Sequence, residues 1–201
     1  MQQKMGPTDE ILVGQVLDGD DSAFNELIGR WEKGLYNFVY RMVGQEEEAR
    51  DLVQETVIRV HGRLGQLREP AAFPSWAFRI AHNVVRDRLR TQKNRTMIST
   101  DDLVEKGAES LLDERIDRFQ HAPRPDRAVY QRELGEILSG ALQTLSEEQR
   151  TAVVMREYHG YSSREIAEMF DLPVGTVRSR IFHGLKNLGR VLRRLRLEEG
   201  S

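Results

Sequence analysis

The sequence predicts an all-α protein made of two small helical domains joined by a flexible linker. Apolar residues recur at spacings of three and four, with hardly any strict alternation. Gly and Pro fall mainly between those periodic segments. Residues 96–127 interrupt the pattern with clustered acidic residues and prolines. A chain of 201 residues is long enough for one medium domain or two small ones.

The first periodic block covers residues 8–95. Asp20, Asp21 or Ser22 can cap a helix carrying Phe24, Leu27, Ile28, Trp31, Leu35, Phe38, Val39 and Met42, an apolar face wide enough for a bundle core. Gly44 ends it. A second helix spans about Glu46 to Leu64, with Leu52, Val53, Val57 and Val60 facing inward and Asp51, Gln54, Glu55 and Ile58 on the other side. Ile58, apolar among polar neighbours, either marks a partner surface or is a lone exposed side chain of no consequence. A loop with Gly65, Pro70 and Pro74 leads into a third helix, from near Phe73 to about Gln92. Trp76, Ile80 and Val84 form its core stripe. Arg79, Asn83, Arg86 and Arg90, at offsets of four, three and four, line a different one. That stripe is either a solvated helix face or a surface that tracks a phosphate backbone while its amide reaches a base edge.

Residues 96–127 read as a flexible acidic linker. They contain Asp101, Asp102, Glu105, Glu109, Asp113, Glu114 and Asp117, then two prolines, and few aromatics. The competing reading is a packed helix around Leu111, Leu112 and Ile116.

The second block covers residues 128–197. Leu134, Ile137, Leu138, Ala141, Leu142 and Leu145 define an amphipathic helix. Ser146 and Gln149 then have the spacing of a capping box, and Ser162 and Glu165 repeat the device. The helices they open carry Val153, Val154 and Tyr158, then Ile166, Ala167, Met169 and Phe170. Asp171-Leu172-Pro173 is a short turn, with Pro173 suited to the first turn of the last helix. There Val177, Ile181, Leu185 and Leu188 share a face and are expected to pack inward. A short helix, a tight turn and a longer basic helix make a helix-turn-helix. Thr176, Arg178, Ser179 and Arg180 lie in the N-terminal half of the last helix, the part that enters a major groove. Arginine there can read guanine edges or hold phosphates, and the hydroxyls suit phosphate.

The formal net charge of −2 argues against a nucleic-acid binder when the chain is taken whole. Its distribution argues the other way, because Pro173 to Leu197 holds no Asp or Glu but contains Arg178, Arg180, Lys186, Arg190, Arg193, Arg194 and Arg196. Cysteine is absent, which removes disulfides and thiolate metal sites. The histidines, 61, 82, 121, 159 and 183, are dispersed, and no metalloprotease, phosphate-loop or serine-hydrolase motif occurs. The expectation is a protein with no enzymatic activity, no cofactor and no metal. No signal peptide and no run of about 18 apolar residues is visible, so membrane insertion is not expected and a cytoplasmic location is.

Both blocks together resemble the extracytoplasmic-function (ECF, group four) sigma factors of bacterial RNA polymerase. Asp51-Leu-Val-Gln-Glu-Thr-Val looks like the family's polymerase-binding helix. Phe73-Pro-Ser-Trp-Ala-Phe-Arg-Ile-Ala-His-Asn83, followed by Asp87 and Arg90, resembles its promoter-melting segment. Leu145-Ser-Glu-Glu-Gln-Arg, Tyr161-Ser-Ser-Arg-Glu-Ile-Ala and Pro173-Val-Gly-Thr-Val-Arg-Ser-Arg resemble its fourth domain. The resemblance implies that Asp51, Gln54 and Glu55, with Ile58 beside them, contact the clamp of core RNA polymerase. It implies that Asn83 and the loop at about 65–72 recognise a base flipped from the minus-ten element of promoter DNA, with Arg79, Arg86 and Arg90 on nearby DNA. Thr176, Arg178, Ser179 and Arg180 would read the minus-thirty-five element. An anti-sigma factor is a further partner the family often has. Val60 and His61 depart from the aromatic residues common at those positions, and the linker is rather long and acidic. The alternative is a LuxR-type helix-turn-helix regulator. It would need a sensory or receiver domain with alternating strands, of which residues 8–95 show no sign.

Overall fold

The computed structural model describes residues 6–97 and 127–196, with side chains over 6–93 and 134–193. Among these residues all regular structure is helical: α1 (Asp9–Leu17), α2 (Asp21–Val43), α3 (Glu46–Arg63), α4 (Phe73–Met97), α5 (Arg127–Gln143), α6 (Glu147–Glu157), α7 (Ser163–Phe170) and α8 (Val174–Arg196), with 3₁₀ turns at Leu64–Gln66 and Pro70–Ala72. Backbone contacts divide the chain into two compact units, residues 1–40 with 45–87 and residues 41–44 with 88–201.

In the first unit, α1 is a separate helix that the sequence pattern did not single out. Thr8 caps it by accepting from the Ile11 N–H at 3.4 Å. Asp9 pins it to α2, accepting from Trp31 Nε1 at 2.8 Å and from Arg30 at 3.1 Å. Leu12 and Val13 face the core. Of the three candidate caps of α2, Asp20 serves: its carboxylate accepts from the Ser22 N–H at 2.9 Å and the Ser22 hydroxyl at 2.5 Å, and these bonds hold its pKa below the ordinary value. Gly44, at φ +79, follows the last residue of α2 in the left-handed conformation that suits a residue without a Cβ.

The core of this unit forms from Leu27, Leu35, Phe38 and Val39 of α2, Ala49, Leu52, Val53 and Val60 of α3, and Phe73, Ala77, Phe78, Ala81, Val84 and Val85 of α4. Phe78 sits edge-on to Phe38 and Trp31, with centroids 5.7 and 6.4 Å apart. Thr56 takes the inward place expected of Val57, which is only partly buried. The hydroxyl can be buried because it donates to the Leu52 carbonyl at 2.7 Å. α4 outruns the expected end at Gln92 and reaches Met97, in keeping with a segment free of Gly and Pro. The acidic linker expected over 96–127 lies outside the described residues except at its two ends.

In the second unit, the buried residues include Ile137, Ala141 and Leu142 of α5, Ala152, Val153 and Val154 of α6, Ile166, Ala167 and Met169 of α7, and Val177 of α8. Leu188 and Val191 of α8 cover Ile137 and Ala141. Ser162 and Glu165 form the full capping box, with the Glu165 N–H donating to Ser162 Oγ at 3.2 Å and the Ser162 N–H donating to Glu165 Oε2 at 2.7 Å. The expected box at Ser146 forms in one direction. Ser146 Oγ accepts from the Gln149 N–H at 3.3 Å, but the Gln149 side chain turns to α8 and accepts from Asn187 at 3.1 Å. Asp171 ends α7 in the left-handed region, at φ 53, ψ 55, and the Leu172 N–H donates to the Ala167 carbonyl at 2.9 Å. α8 starts at Val174, so Pro173 stands one residue ahead of the first helical position, its carbonyl accepting from the Thr176 N–H at 2.9 Å.

Candidate nucleic-acid interface

The helix-turn-helix is built by α7, the turn at 171–173 and α8. α8 packs against α5, α6 and α7. The buried face of its first half is carried by Val177 and Gly184, with Ile181 partly buried. Leu185, expected to point inward, is 42% exposed, and the reason is local. One residue before it, Gly184 lets α8 approach α6 so closely that a Cβ there would lie 2.6 Å from Val153 Cγ2. That contact fixes the rotation of the helix and turns Leu185 about 100° away from it. Phe182 is exposed as well, at 63%.

The same rotation presents Arg178 and Ser179 to solvent and leaves Thr176 and Arg180 partly buried. All four thus stand in the first two turns of α8, where a helix entering a groove meets base edges and phosphates. Further along, Arg190 and Arg193 turn back on their own helix, to the Asn187 side chain at 3.5 Å and the Gly189 carbonyl at 3.0 Å. Arg150 of α6 serves a different purpose. It is buried at the α5–α6 corner, donating to the carbonyls of Gln143 and Leu145 at 3.0 and 3.1 Å, and burial pulls its pKa down to about 10. It stays protonated near neutral pH and closes a corner rather than meeting a ligand.

The stripe on α4 faces solvent for the most part. Arg79, Arg86 and Arg90 are exposed and Asn83 is partly buried. Ile80, Val84 and Val85 anchor the helix from its other side. Trp76 is partly buried with its ring 6.2 Å from that of Phe73, as suits a residue of the core margin. Ahead of α4, the two 3₁₀ turns shape the loop at 65–72, and the Ser75 hydroxyl donates to the Ala72 carbonyl at 2.9 Å.

α3 offers a second exposed face. Asp51, Gln54, Glu55 and Ile58 are all exposed, Ile58 at 71%. Beside them a cleft of about 450 Å³ opens between α2 and α3, lined by Glu32, Lys33, Tyr36, Arg50, Val53 and Gln54. An apolar side chain exposed among carboxylates and amides, next to a cleft, is a surface suited to a protein partner. Sequence reasoning missed the link between α3 and α4: Arg59 of α3 donates to Glu55 at 2.5 Å and to Asp87 of α4 at 3.3 Å. The Arg59–Glu55 spacing of four residues signalled the pair within α3 but not the reach to α4. His61 places its ring edge-on to Phe24 at 4.7 Å.

Among the described residues no cluster of His, Asp or Glu is placed to hold a metal ion, and no helix is long and apolar enough to cross a membrane.

Comparison with known proteins matches two family models in order along the chain: Sigma-70 region 2 over residues 27–95 and Sigma-70, region 4 over residues 135–188. The ECF RNA polymerase sigma-E factor of Escherichia coli strain K12 is 37% identical over 175 residues, covering 87% of this chain and 89% of that protein. The RNA polymerase sigma-H factor of Pseudomonas aeruginosa is 33% identical over 187 residues, covering 93% and 95%. Among solved structures, CnrH in complex with the cytosolic domain of CnrY shares the fold at a TM-score of 0.65 and 23% identity, covering 92% of this chain and 97% of that one. The sigma factor RpoE in complex with the anti-sigma factor NepR from Bartonella quintana does so at 0.62 and 19%, covering 85% and 96%. With identity above 30% over nearly its whole length and both sigma regions in their order, the chain belongs to the extracytoplasmic-function family of RNA polymerase sigma factors.

Proposed function

We propose that the chain acts in the cytoplasm as a sigma subunit without bond-making chemistry of its own, and that its work divides along the sequence. Residues 8–95 bind core RNA polymerase and open the minus-ten element, residues 96–127 link, and residues 128–197 read the minus-thirty-five element. Asp51, Gln54, Glu55 and Ile58 form the polymerase-binding face. Asn83 receives a base flipped from the minus-ten element while Arg79, Arg86 and Arg90 hold the adjacent backbone. Thr176, Arg178, Ser179 and Arg180 contact the minus-thirty-five element in the major groove. The observation that carries this reading is the order of the two sigma regions on one chain, each bearing an exposed face of suitable chemistry.

Extruding a base from the stack costs a few kcal/mol, which contacts in the receiving pocket must offset. Those contacts gain from the other domain. Once one module is bound, the second meets its element at the effective concentration set by the linker rather than at bulk concentration. Folding relatives that are captured with an anti-sigma factor or a cytosolic partner domain support a protein inhibitor of that class as a further partner.

The test is reconstitution of the purified chain with sigma-free core polymerase on genomic DNA of the source organism. Promoter-specific transcripts that require the chain are expected. Replacing Arg178 and Arg180 by Ala together should impair promoter use while core polymerase still co-purifies. Initiation on core polymerase separates this reading from a LuxR-type regulator, which no observation favours. DNA binding without assembly on core polymerase would reverse that judgement.

A further inference from the structure

The bridge at Arg59 has a consequence for promoter opening, one that rests on the proposed use of α4. Asp87 stands one turn after Asn83 and directly follows Arg86, so its carboxylate lies in the stripe assigned to DNA. Its side chain is 58% exposed. A carboxylate has the wrong sign for a surface that must accept a phosphate-bearing strand, so a cation that holds it to one side favours the strand. Arg59 is placed to do so. Its guanidinium, on a side chain only 30% exposed, reaches across from α3 to Asp87 at 3.3 Å. Glu55, one turn earlier on α3, holds the same guanidinium at 2.5 Å and so fixes where its free N–H groups point.

We infer that Arg59 is a positioning residue for promoter opening: held by Glu55, it draws the Asp87 carboxylate toward α3 and off the path of the single strand that α4 receives. Arg59 touches no DNA in this role. Its effect passes through Asp87, and because the pair is partly exposed the effect is modest.

The test compares holoenzymes assembled from core polymerase with the wild-type chain, Arg59→Gln, Asp87→Asn, and the double variant. The readouts are the lifetime of the open complex after competitor challenge and the permanganate reactivity of the minus-ten strand. Arg59→Gln should shorten the lifetime by roughly two- to five-fold, the range expected for losing one partly exposed ion pair. Asp87→Asn should leave it unchanged or lengthen it. The double variant should match Asp87→Asn, because the carboxylate that Arg59 restrains is gone. A role limited to gluing α3 to α4 predicts a different pattern: Asp87→Asn would share the defect and the double variant would not recover. That pattern, or an Arg59→Gln holoenzyme indistinguishable from wild type, overturns the inference and leaves the sigma-factor reading standing. A wild-type chain that forms no open complex overturns both.

Discussion

Gly184 sets the rotation of the last helix by what it lacks. A Cβ at this position would lie 2.6 Å from Val153 Cγ2 and 3.4 Å from the Gln149 carbonyl oxygen, neither of which ends a long flexible side chain. Gly184→Ala is therefore expected to destabilise the fold despite the higher helix propensity of Ala, by about 1–3 kcal/mol as an overpacked contact. A lower urea midpoint would report it, and combining it with Val153→Ala should recover part of the loss. Unchanged stability of Gly184→Ala would mean that α8 can slide away from α6 without cost. This residue also marks a limit of pattern reading. Apolar periodicity picked Leu185, because hydrophobicity scores side chains and cannot score a place where none fits. Val57 and Thr56 exchange places for a related reason. Pattern reading sends a hydroxyl outward, whereas a carbonyl four residues back satisfies Thr56 in the core. The stripe on α4 was legible as a stripe. Asn83 and the arginines at 79, 86 and 90 follow from offsets on one helix, where the three arginines are exposed and Asn83 is partly buried. Arg59's reach to Asp87 depends on how two helices pack, which no spacing within one helix reveals.

At the scale of the element, α7 is short and relies on its capping box. Glu165 accepts from the Ser162 N–H, and these bonds with Ser162 hold its carboxyl pKa below the ordinary value of 4.5. A carboxyl whose pKa is lower folded than unfolded adds stability that is fully present above the unfolded value. That stability fades as pH falls through the folded one. The helix-turn-helix should thus lose stability below about pH 4.5, and Glu165→Gln should remove the part of this loss that the carboxylate causes. Thermal unfolding followed from pH 6 to pH 3 checks it. Identical pH profiles for the two proteins would show that the carboxylate contributes nothing. Ser162→Ala removes the acceptor for the Glu165 N–H and should cost about 1 kcal/mol at pH 6. Both ends of this box were readable because its partners lie three residues apart. The box at Ser146 was half readable, since Gln149 instead accepts from Asn187, a residue 38 positions away. α1 escaped notice for a similar reason. Its anchor, Asp9 on Trp31 and Arg30, is a contact between helices and leaves no periodic trace.

For the whole molecule, a net charge of −2 coexists with DNA binding because the charges are segregated, with none of the acidic residues between Pro173 and Leu197. The electrostatic footprint on DNA is then local to each unit. Replacing Arg178 and Arg180 by Ala in the holoenzyme should lower the slope of log affinity against log salt by about 0.9 for each phosphate contact removed. An unchanged slope would assign these side chains to base edges or to solvent. The two-unit organisation makes a sharper demand. Asn83 and the Arg178–Arg180 pair belong to different units, and in the proposed arrangement they meet different promoter elements. Substitutions at independent sites add in free energy to within about 0.5 kcal/mol, so their fold-losses multiply to within about two-fold. Promoter affinity measured for Asn83→Ala, for Arg178→Ala with Arg180→Ala, and for all three together should obey that product. The linker raises the affinity of each unit for its element by proximity alone, a factor common to all four proteins while both units remain engaged, so it cancels from the comparison. A triple variant much weaker than the product would mean that one unit had lost its hold altogether and taken the proximity gain with it. One much stronger would mean that the minus-thirty-five contacts matter only when the minus-ten base is captured. Either departure would replace two independent readers with a single coupled one.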